Sequence, residues 1–276
     1  MASDPLPIQP APDPVDPELE PLLDEPFASA WAQRNAAPGA LRGRLLERVA
    51  ASSAASAAMV TSRIARLAAR ELAPGVSART LYAAPAGRPL RPGEPLRARL
   101  VDLAPGSRWP GPEAGTHREW LVLRGAVRIG DEALGLRDYH AVPAGAASQP
   151  LVSESGARLF LRESALAAGG GPVTVRDAEA GWPDYAPGIR RRVLWQQGGQ
   201  AALLYHADPG AAVPGHTHGH DEECLMVQGE LFLDDLLLQE GDYQLAPAGT
   251  GHRITETDTG VVIYAHGDLD LRFTAS

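Results

Sequence analysis

The stretch GAAVPGHTHGHDEECLMVQG, residues 210–229, decides the fold. Successive side chains of a β-strand point to opposite faces, so His216 and His218 share a face and Glu222 has the same parity. Two imidazoles and a carboxylate on one face are ligands that Zn, Fe, Mn and Ni accept. The stretch therefore predicts a metal site carried by a strand.

The next informative stretch is GDYQLAPAGTGH, residues 241–252. Gly241 is suited to the turn before a strand, and the Pro-Ala-Gly triplet ending at Gly249 is suited to the turn after it. A hairpin of this form brings His252 beside the first two histidines. We therefore predict that His252 completes the ligand set of one divalent metal.

Both stretches resemble the cupin family, whose motifs are G-x5-H-x-H-x(3,4)-E-x6-G and G-x5-P-x-G-x2-H-x3-N. The first motif is met by Gly210, His216, His218, Glu222 and Gly229, and the second by Gly241, Pro247, Gly249 and His252. Glu256 stands at the last position, where the family usually has an Asn that is not a metal ligand. The resemblance implies a mostly β protein in which a small barrel of two facing sheets, the double-stranded β-helix or jelly roll, holds the metal inside. Zn or Fe is expected, with Mn or Ni as alternatives.

Three neighbours of the predicted ligands are candidates for further chemistry. Glu223 is an alternative ligand if the strand bulges at Gly219, and a general base if the protein is an enzyme. His220 is either a solvated loop residue or, alternatively, a fifth ligand or a proton shuttle. Cys224 shares the parity of Glu222, so it is either a small apolar filler or an oxidisable thiol beside the metal.

The C-terminal two thirds of the chain repeats itself at an offset of 104 residues. Four features coincide at that offset: Pro105-Gly106 with Pro209-Gly210, Gly125 with Gly229, Asp138-Tyr139 with Asp242-Tyr243, and Pro143-Ala144-Gly145 with Pro247-Ala248-Gly249. Upstream, PGVSARTLY (74–82) resembles PGIRRRVLW (187–195) at another offset. We predict two tandem cupin barrels. The first, at 74–168, is degenerate; the second, at 172–276, binds the metal; and a Gly-rich linker joins them.

The first copy lacks the ligands of the second. The positions that match the four predicted ligands are Pro112, Ala114, Arg118 and Ser148. His117, Glu119 and His140 lie close by but off the pattern, and we interpret them as surface or core polar residues. The first barrel is then a packing partner or part of the ligand shell.

The N-terminal region differs in composition from the rest. Residues 1–17 are rich in Pro and acidic side chains, which predicts a disordered arm. A helical segment is predicted over 18–73, mainly because 40–72 lacks Pro and carries apolar residues at helical spacing. The apolar stripe of that helix needs a partner, which is the barrels, a second copy of the chain or another protein.

Composition narrows the function classes. The 276 residues carry a formal charge of −9, which argues against direct contact with nucleic acid. With one cysteine, no disulfide can form within the chain, as is typical of the cytoplasm. The N-terminus has no apolar stretch long enough for a signal peptide or membrane span, so we expect a cytoplasmic protein without a membrane partner.

Within the cupins, the phrases PGHTHGHDEECLMVQG and GDYQLAPAGTGH resemble the ChrR-type anti-sigma factors. That resemblance implies an N-terminal helical region, here 18–72, that binds a sigma factor or other regulator. It also implies a metal-bearing cupin that governs release in response to an oxidant. The family's N-terminal domain often binds zinc through His and Cys, whereas residues 1–116 contain neither.

Three functions remain open on the sequence. The first, which we favour, is a regulatory sensor of an oxidant or small molecule. The second is an Fe(II)-dependent dioxygenase acting on a small diketone or thiol. The third is a non-catalytic module that binds a small metabolite in the second barrel. A homodimer is expected by analogy with other cupins.

Overall fold

A computed structural model describes Gly43 and residues 57–165 and 170–274. The predicted disordered arm (1–17) lies outside this part of the chain, as does most of the predicted helical segment. Gly43 and residues 57–58 are helical, as predicted, but from Val60 to Ala73 the helix prediction is wrong. Strand β1 (Val60–Ser62), a 3₁₀ turn (Ile64–Arg66) and strand β2 (Arg70–Ala73) follow one another instead. Ile64 and Leu67, two of the apolar residues at helical spacing, pack against a tertiary core here, which overrides the local pattern.

The first barrel follows β1 and consists of short antiparallel strands. Besides β2 these are β3 (Val76–Ala83), β4 (Pro95–Leu103), β5 (Ser107–Trp109), β6 (His117–Gly125), β7 (Val127–Ile129), β8 (Glu132–Leu134), β9 (Tyr139–Val142), β10 (Leu151–Ser153), β11 (Ala157–Ser164) and β12 (Val173–Val175). One sheet has the order β12-β9-β6-β11-β4-β3-β2, and the other has the order β5-β10-β7-β8.

The second barrel follows a one-turn helix α1 (Asp177–Ala180). Its strands are β13 (Asp184–Ala186), β14 (Ile189–Gln197), β15 (Gln200–Ala207), β16 (Ala212–Thr217), β17 (Glu222–Leu233), β18 (Leu236–Gln239), β19 (Tyr243–Ala246), β20 (Gly251–Glu256), β21 (Val261–Asp268) and β22 (Arg272–Phe273). The long strand β17 takes part in both of its sheets, pairing with β19 and β21 at one end and with β18 and β20 at the other.

Each copy places its first strand in the barrel of the other copy. β1 pairs with β19, so Ser62 lies opposite Tyr243. In the same way β12 pairs with β9, so Val175 lies opposite Tyr139. The strand that opens the second repeat thus completes a sheet of the first barrel, and the two barrels are joined by a reciprocal exchange of strands.

The aspartate of the repeated Asp-Tyr pair anchors the exchanged strand. Asp242 accepts hydrogen bonds from Arg63 Nη1 at 2.7 Å and from the following backbone amide at 2.9 Å. Asp138 makes the equivalent contacts with Arg176, at 3.4 Å, and with the amide after it, at 2.8 Å. The duplicated motif therefore serves the fold, because it fixes each arm to the neighbouring barrel.

The glycines that end the repeated LVLRG and LMVQG phrases have a steric cause. Gly125 and Gly229 have φ angles of 72° and 80°, a region that favours glycine. A Cβ would lie 2.1 Å from the Gly156 carbonyl oxygen in the first case and 2.3 Å from the Gly260 oxygen in the second. These repeated glycines are backbone requirements of the barrel, not parts of a binding site.

The core has three parts. Each barrel has an apolar interior of its own. A third cluster joins the barrels, with Leu121 and Phe160 from one side and Leu225 and Tyr264 from the other, all nearly inaccessible to solvent. Because this shared cluster is apolar and fully buried, the two barrels pack as one body.

Candidate metal centre

Adjacent strands bring the predicted ligands together. His216 lies on β16 and pairs directly with His252 on β20. His218 follows the end of β16, and Glu222 begins β17. The cross-strand pair explains why two sequence-distant histidines meet, since directly opposite residues of antiparallel strands have Cβ atoms about 5 Å apart.

Three of the side chains, His216, His218 and Glu222, bring ligand atoms together, and the His252 ring packs beside both histidines. The ring centroids of the three histidines are 5.1 to 5.6 Å apart. Ligand atoms of His216, His218 and Glu222 all lie within 4.8 Å of one another, and His218 Nε2 is 3.6 Å from Glu222 Oε1. Distances of this size suit atoms that converge on one ion, which binds each of them at about 2.0–2.2 Å.

The protonation state of the histidines fits a metal. Burial lowers the pKa of His218 and of His252, so both rings are neutral at pH 7 and can ligate. Both ring nitrogens of His218 are buried without a hydrogen-bond partner among the described residues. His216 Nδ1 lies 3.0 Å from the Pro214 carbonyl oxygen; an Nδ1–H donor there leaves Nε2 free for the ion. The donor set therefore fits one divalent cation.

Glu223 points to the other side of its strand. It is fully buried and pairs with Arg162 of the first barrel, and it accepts a hydrogen bond from Tyr243 at 2.6 Å. The prediction that Glu223 acts as a general base is wrong, because both contacts occupy its carboxylate at the interface between the barrels. The alternating faces of β17 separate it from Glu222.

A buried ionic network was missed on the sequence and explains the position of Glu223. Arg162 is 1% exposed and donates to Glu119 at 2.8 Å as well as to Glu223, so it bridges the barrels. Tyr139 and Tyr264 also donate to Glu119, at 2.8 and 2.9 Å. The two glutamates are 104 residues apart, so the network is a pair of repeated positions that share one arginine.

Charge and burial oppose each other in this network. Burial alone would raise the pKa of Glu119, but His266 and His117, which become charged only in acid, and the permanently charged Arg162 lower it to about 2. Burial lowers the pKa of His266 to about 3, with Arg162 adding to the effect. Burial raises the pKa of Glu223 against the pull of Arg162. At pH 7 one buried cation, Arg162, is therefore shared by two carboxylates, and the histidines beside them are neutral.

His220 does not join the other three histidines. Its Nδ1 lies 2.6 Å from Asp268 Oδ1, and its side chain is about one third exposed. Asp268 also accepts from the Gly219 amide, at 2.5 Å. The structure therefore gives no support to a fifth-ligand role for His220. Its other predicted role, in proton transfer if the protein is an enzyme, stays a prediction.

Cys224 lines the same interior as Glu222, as its parity predicted. Its Sγ lies 3.6 Å from Glu222 Oε1 and the residue is 8% exposed. Burial, reinforced by Glu222, raises the pKa of the thiol well above its usual value. Reactive cysteines need the thiolate, so these surroundings oppose the predicted redox role and favour the small apolar filler.

The corresponding positions of the first barrel hold side chains that do not form a metal site. Arg118, which matches Glu222, is buried and donates to the Ala146 carbonyl at 2.7 Å. Ser148, which matches His252, donates to the Pro112 carbonyl at 2.6 Å. The residues that lie off the pattern in this copy, His117, Glu119 and His140, are buried, as the core interpretation requires.

The metal centre opens onto a cavity inside the second barrel. Its wall includes His216, Glu222 and Cys224 together with a majority of apolar residues. The space open to water-sized molecules is about 70 Å³, roughly that of five waters. Tyr205, Thr255 and Asp268 also line it, and none of the three was singled out on the sequence. None of them belongs to the ligand pattern, and only the barrel's closure brings them to the site.

The family described as ChrR Cupin-like domain matches residues 171–270. Those residues form a ChrR-like cupin domain. Its match contains all four predicted ligands and most of the second barrel. No curated protein matches the chain.

Solved structures share the fold at low sequence identity. A Nostoc punctiforme protein, provisionally assigned as a dioxygenase, has a TM-score of 0.59 at 13% identity, over 79% of this chain and 87% of its own. Bacillus subtilis oxalate decarboxylase has 0.58 at 17% identity, over 78% of each chain. A Pseudomonas aeruginosa protein, provisionally named as glyoxylate-induced, has 0.56 at 16% identity, over 79% of this chain and 87% of its own. These likenesses show the cupin fold and extend across both barrels.

Within the described residues, no helix is long and apolar enough to cross a membrane.

Proposed function

We propose that the ChrR-like cupin domain binds one divalent metal, iron in the first instance, and acts as a dioxygenase on a small molecule that reaches this metal through the cavity. The observation that carries the proposal is the juxtaposition of three buried histidines and one carboxylate with a mostly apolar cavity. A structural metal site needs no such space. Similarity to a provisionally assigned dioxygenase agrees with the proposal but shows the fold alone.

The residues of the chain have distinct roles in this proposal. His216, His218, Glu222 and His252 hold the metal, which supplies Lewis acidity and open coordination positions when bound. Apolar walls exclude water from the reacting molecule. A dioxygenase places both atoms of one O2 in its product, so no separate reductant is required. Small diketones and thiols are the substrates expected from the sequence.

The test begins with elemental analysis of protein purified without added metal. It is followed by anaerobic loading with Fe(II) and measurement of O2 uptake with acetylacetone and with a small aliphatic thiol. We expect one metal per chain and uptake of one O2 per substrate consumed. His216→Ala combined with His252→Ala should lose the metal and the uptake.

The matched control is His140→Ala, which removes a histidine of the first barrel that contacts Thr174. This variant should keep full metal content and uptake. Iron-loaded protein that consumes no O2 with any diketone or thiol tested would overturn the dioxygenase proposal.

The second candidate is the regulatory sensor. The match to the ChrR Cupin-like domain favours it. So does strand β1, which links the chain preceding residue 60 to a sheet of the second barrel. In this version the metal is zinc, and residues 18–72 bind a sigma factor or another regulator. Tightly held zinc without turnover, with recovery of a sigma factor on the full-length chain, would favour the sensor over the enzyme.

A further inference from the structure

The charges on the cavity wall are acidic. Apart from the ligand Glu222, the ionisable acid on the wall is Asp268, and no Arg or Lys is among the lining residues. The rest of the wall is mainly aliphatic, including Leu203, Leu231 and Ile263. The wall itself therefore carries no cation besides the metal. The nearby Arg191 packs over the Tyr185 ring and is engaged by the Leu269 carbonyl at 2.7 Å and by Asp270 at 3.3 Å.

In the first barrel an arginine occupies the position that lines the cavity in the second, and it is paired with a glutamate. Arg99 matches Leu203 at the repeat offset, and it is buried beside Trp109 with its guanidinium 5.8 Å from the ring centre. It is balanced by Glu163 at 2.9 Å, which matches Gly267. The second barrel lacks both members of this pair. Its cavity wall therefore has no guanidinium that could bind a second negative charge of a ligand. Leu203 and Gly267 also take up less space than the arginine and glutamate that they match.

Two hydroxyl groups on the wall are available to a ligand. Thr255 Oγ1 is buried without a hydrogen-bond partner among the described residues. Tyr205 lines the same wall as Glu222, and its phenol is the second hydroxyl. The guanidinium of Arg191 lies beside the phenol oxygen and can only donate, which leaves the hydroxyl hydrogen of Tyr205 for another acceptor.

We propose that the site selects a small neutral or singly charged chelating molecule, whose polar end reaches the metal and accepts a hydrogen bond from Tyr205, and that it rejects dianions. The inference rests on the proposed metal function and specifies its substrate class. The apolar part of the molecule lies against the aliphatic wall. A dianion such as oxalate would bring a second negative charge toward Glu222 and Asp268 with no Arg or Lys among the lining residues to balance it, and leaving a buried charge unpaired is costly.

The experiment uses the full chain loaded with Co(II), whose visible absorption responds to a change of ligand. Acetylacetone and oxalate both chelate through two oxygens, but the first binds as a monoanion and the second as a dianion. Each dissociation constant is divided by that of the same chelator for Co(II) in buffer. We expect the protein to favour acetylacetone over oxalate by at least about tenfold on this scale.

Tyr205→Phe tests the donor. It should weaken acetylacetone binding about tenfold, which is the effect of losing one hydrogen bond, while the cobalt content stays at one per chain. Tyr82→Phe, on β3 of the first barrel, is the matched control and should change neither value.

The outcomes separate the two proposals. Failure to hold cobalt would contradict the metal function itself. Cobalt held firmly, with oxalate bound as well as acetylacetone or with Tyr205→Phe indistinguishable from the unmodified protein, would overturn the selectivity inference and leave the metal function standing.

Discussion

The two barrels share strand order and turns but differ in what fills them. In the first, Trp109 and Trp120 meet edge to face, with ring centres 6.1 Å apart, and close the interior. The matching positions of the second barrel are Val213 and Cys224, and both line its cavity. The first barrel therefore keeps the fold without a metal site, because large apolar side chains fill its interior. In the second barrel the smaller side chains Val213 and Cys224 replace the two tryptophans, and the cavity beside the metal centre lies there.

The elements kept in both copies are those that join the barrels. The Asp-Tyr pair anchors an exchanged strand through its aspartate and an interface glutamate through its tyrosine in each copy. Glu119 and Glu223 remain, although only one copy provides the arginine between them. The repeated residues therefore belong mainly to the interface between the barrels, whereas the metal ligands are present in one copy only.

The largest expected effect is at that arginine. Arg162→Met leaves Glu119 and Glu223 buried without a cation, so we expect a loss of about 3–5 kcal/mol in the free energy of unfolding. His266 occupies the matching position and is neutral, so His266→Met should cost clearly less. Urea denaturation followed by tryptophan fluorescence measures both. Equal losses would show that the two copies contribute alike to the interface.

The next largest effect is expected from substitutions in the interiors of the two barrels. Trp120→Ala removes a buried indole and should lower the free energy of unfolding by about 3 kcal/mol or more. Cys224→Ala, at the matching position beside the cavity, should cost only about 1 kcal/mol, because less volume is removed next to space that is already open. The same denaturation assay applies, and a larger loss at Cys224 would contradict the difference in packing.

Acid should weaken the interface between the barrels. The folded state holds His266 neutral with a pKa of about 3, so the unfolded chain takes up the proton first as the pH falls below about 6.5. Glu119, with a folded pKa of about 2, contributes stability that is present above its usual pKa of 4.5 and lost as the pH falls toward 2. Stability should therefore fall steadily below about pH 6.5. A melting temperature measured from pH 7 to pH 3 checks this, and Glu119→Gln should flatten the part below about pH 4.5.

A smaller effect is expected at the anchoring aspartates. Asp138→Asn and Asp242→Asn each keep a hydrogen-bonding oxygen but lose the charge that holds an arginine. Both should cost about 1–2 kcal/mol, since hydrogen bonds to charged groups contribute that much. Similar losses from the two variants would support equivalent anchoring of the two exchanged strands. A loss at one position alone would show that one exchange is dispensable.

The sequence was sufficient for the cupin motifs, the repeat and the four candidate ligands, because strand parity and turn residues are local properties that spacing records. It was not sufficient for the partners across the fold. Glu222 and Glu223 are neighbours with equal chemistry, and only the packing of the second barrel against the first shows that Glu222 faces the cavity and Glu223 meets Arg162. Val60 and Ile64 have helical spacing, yet the sheet of the other repeat draws Val60 into a strand. Contacts between residues distant in the chain depend on closure of the barrels and exchange of strands, and these are properties of the tertiary structure.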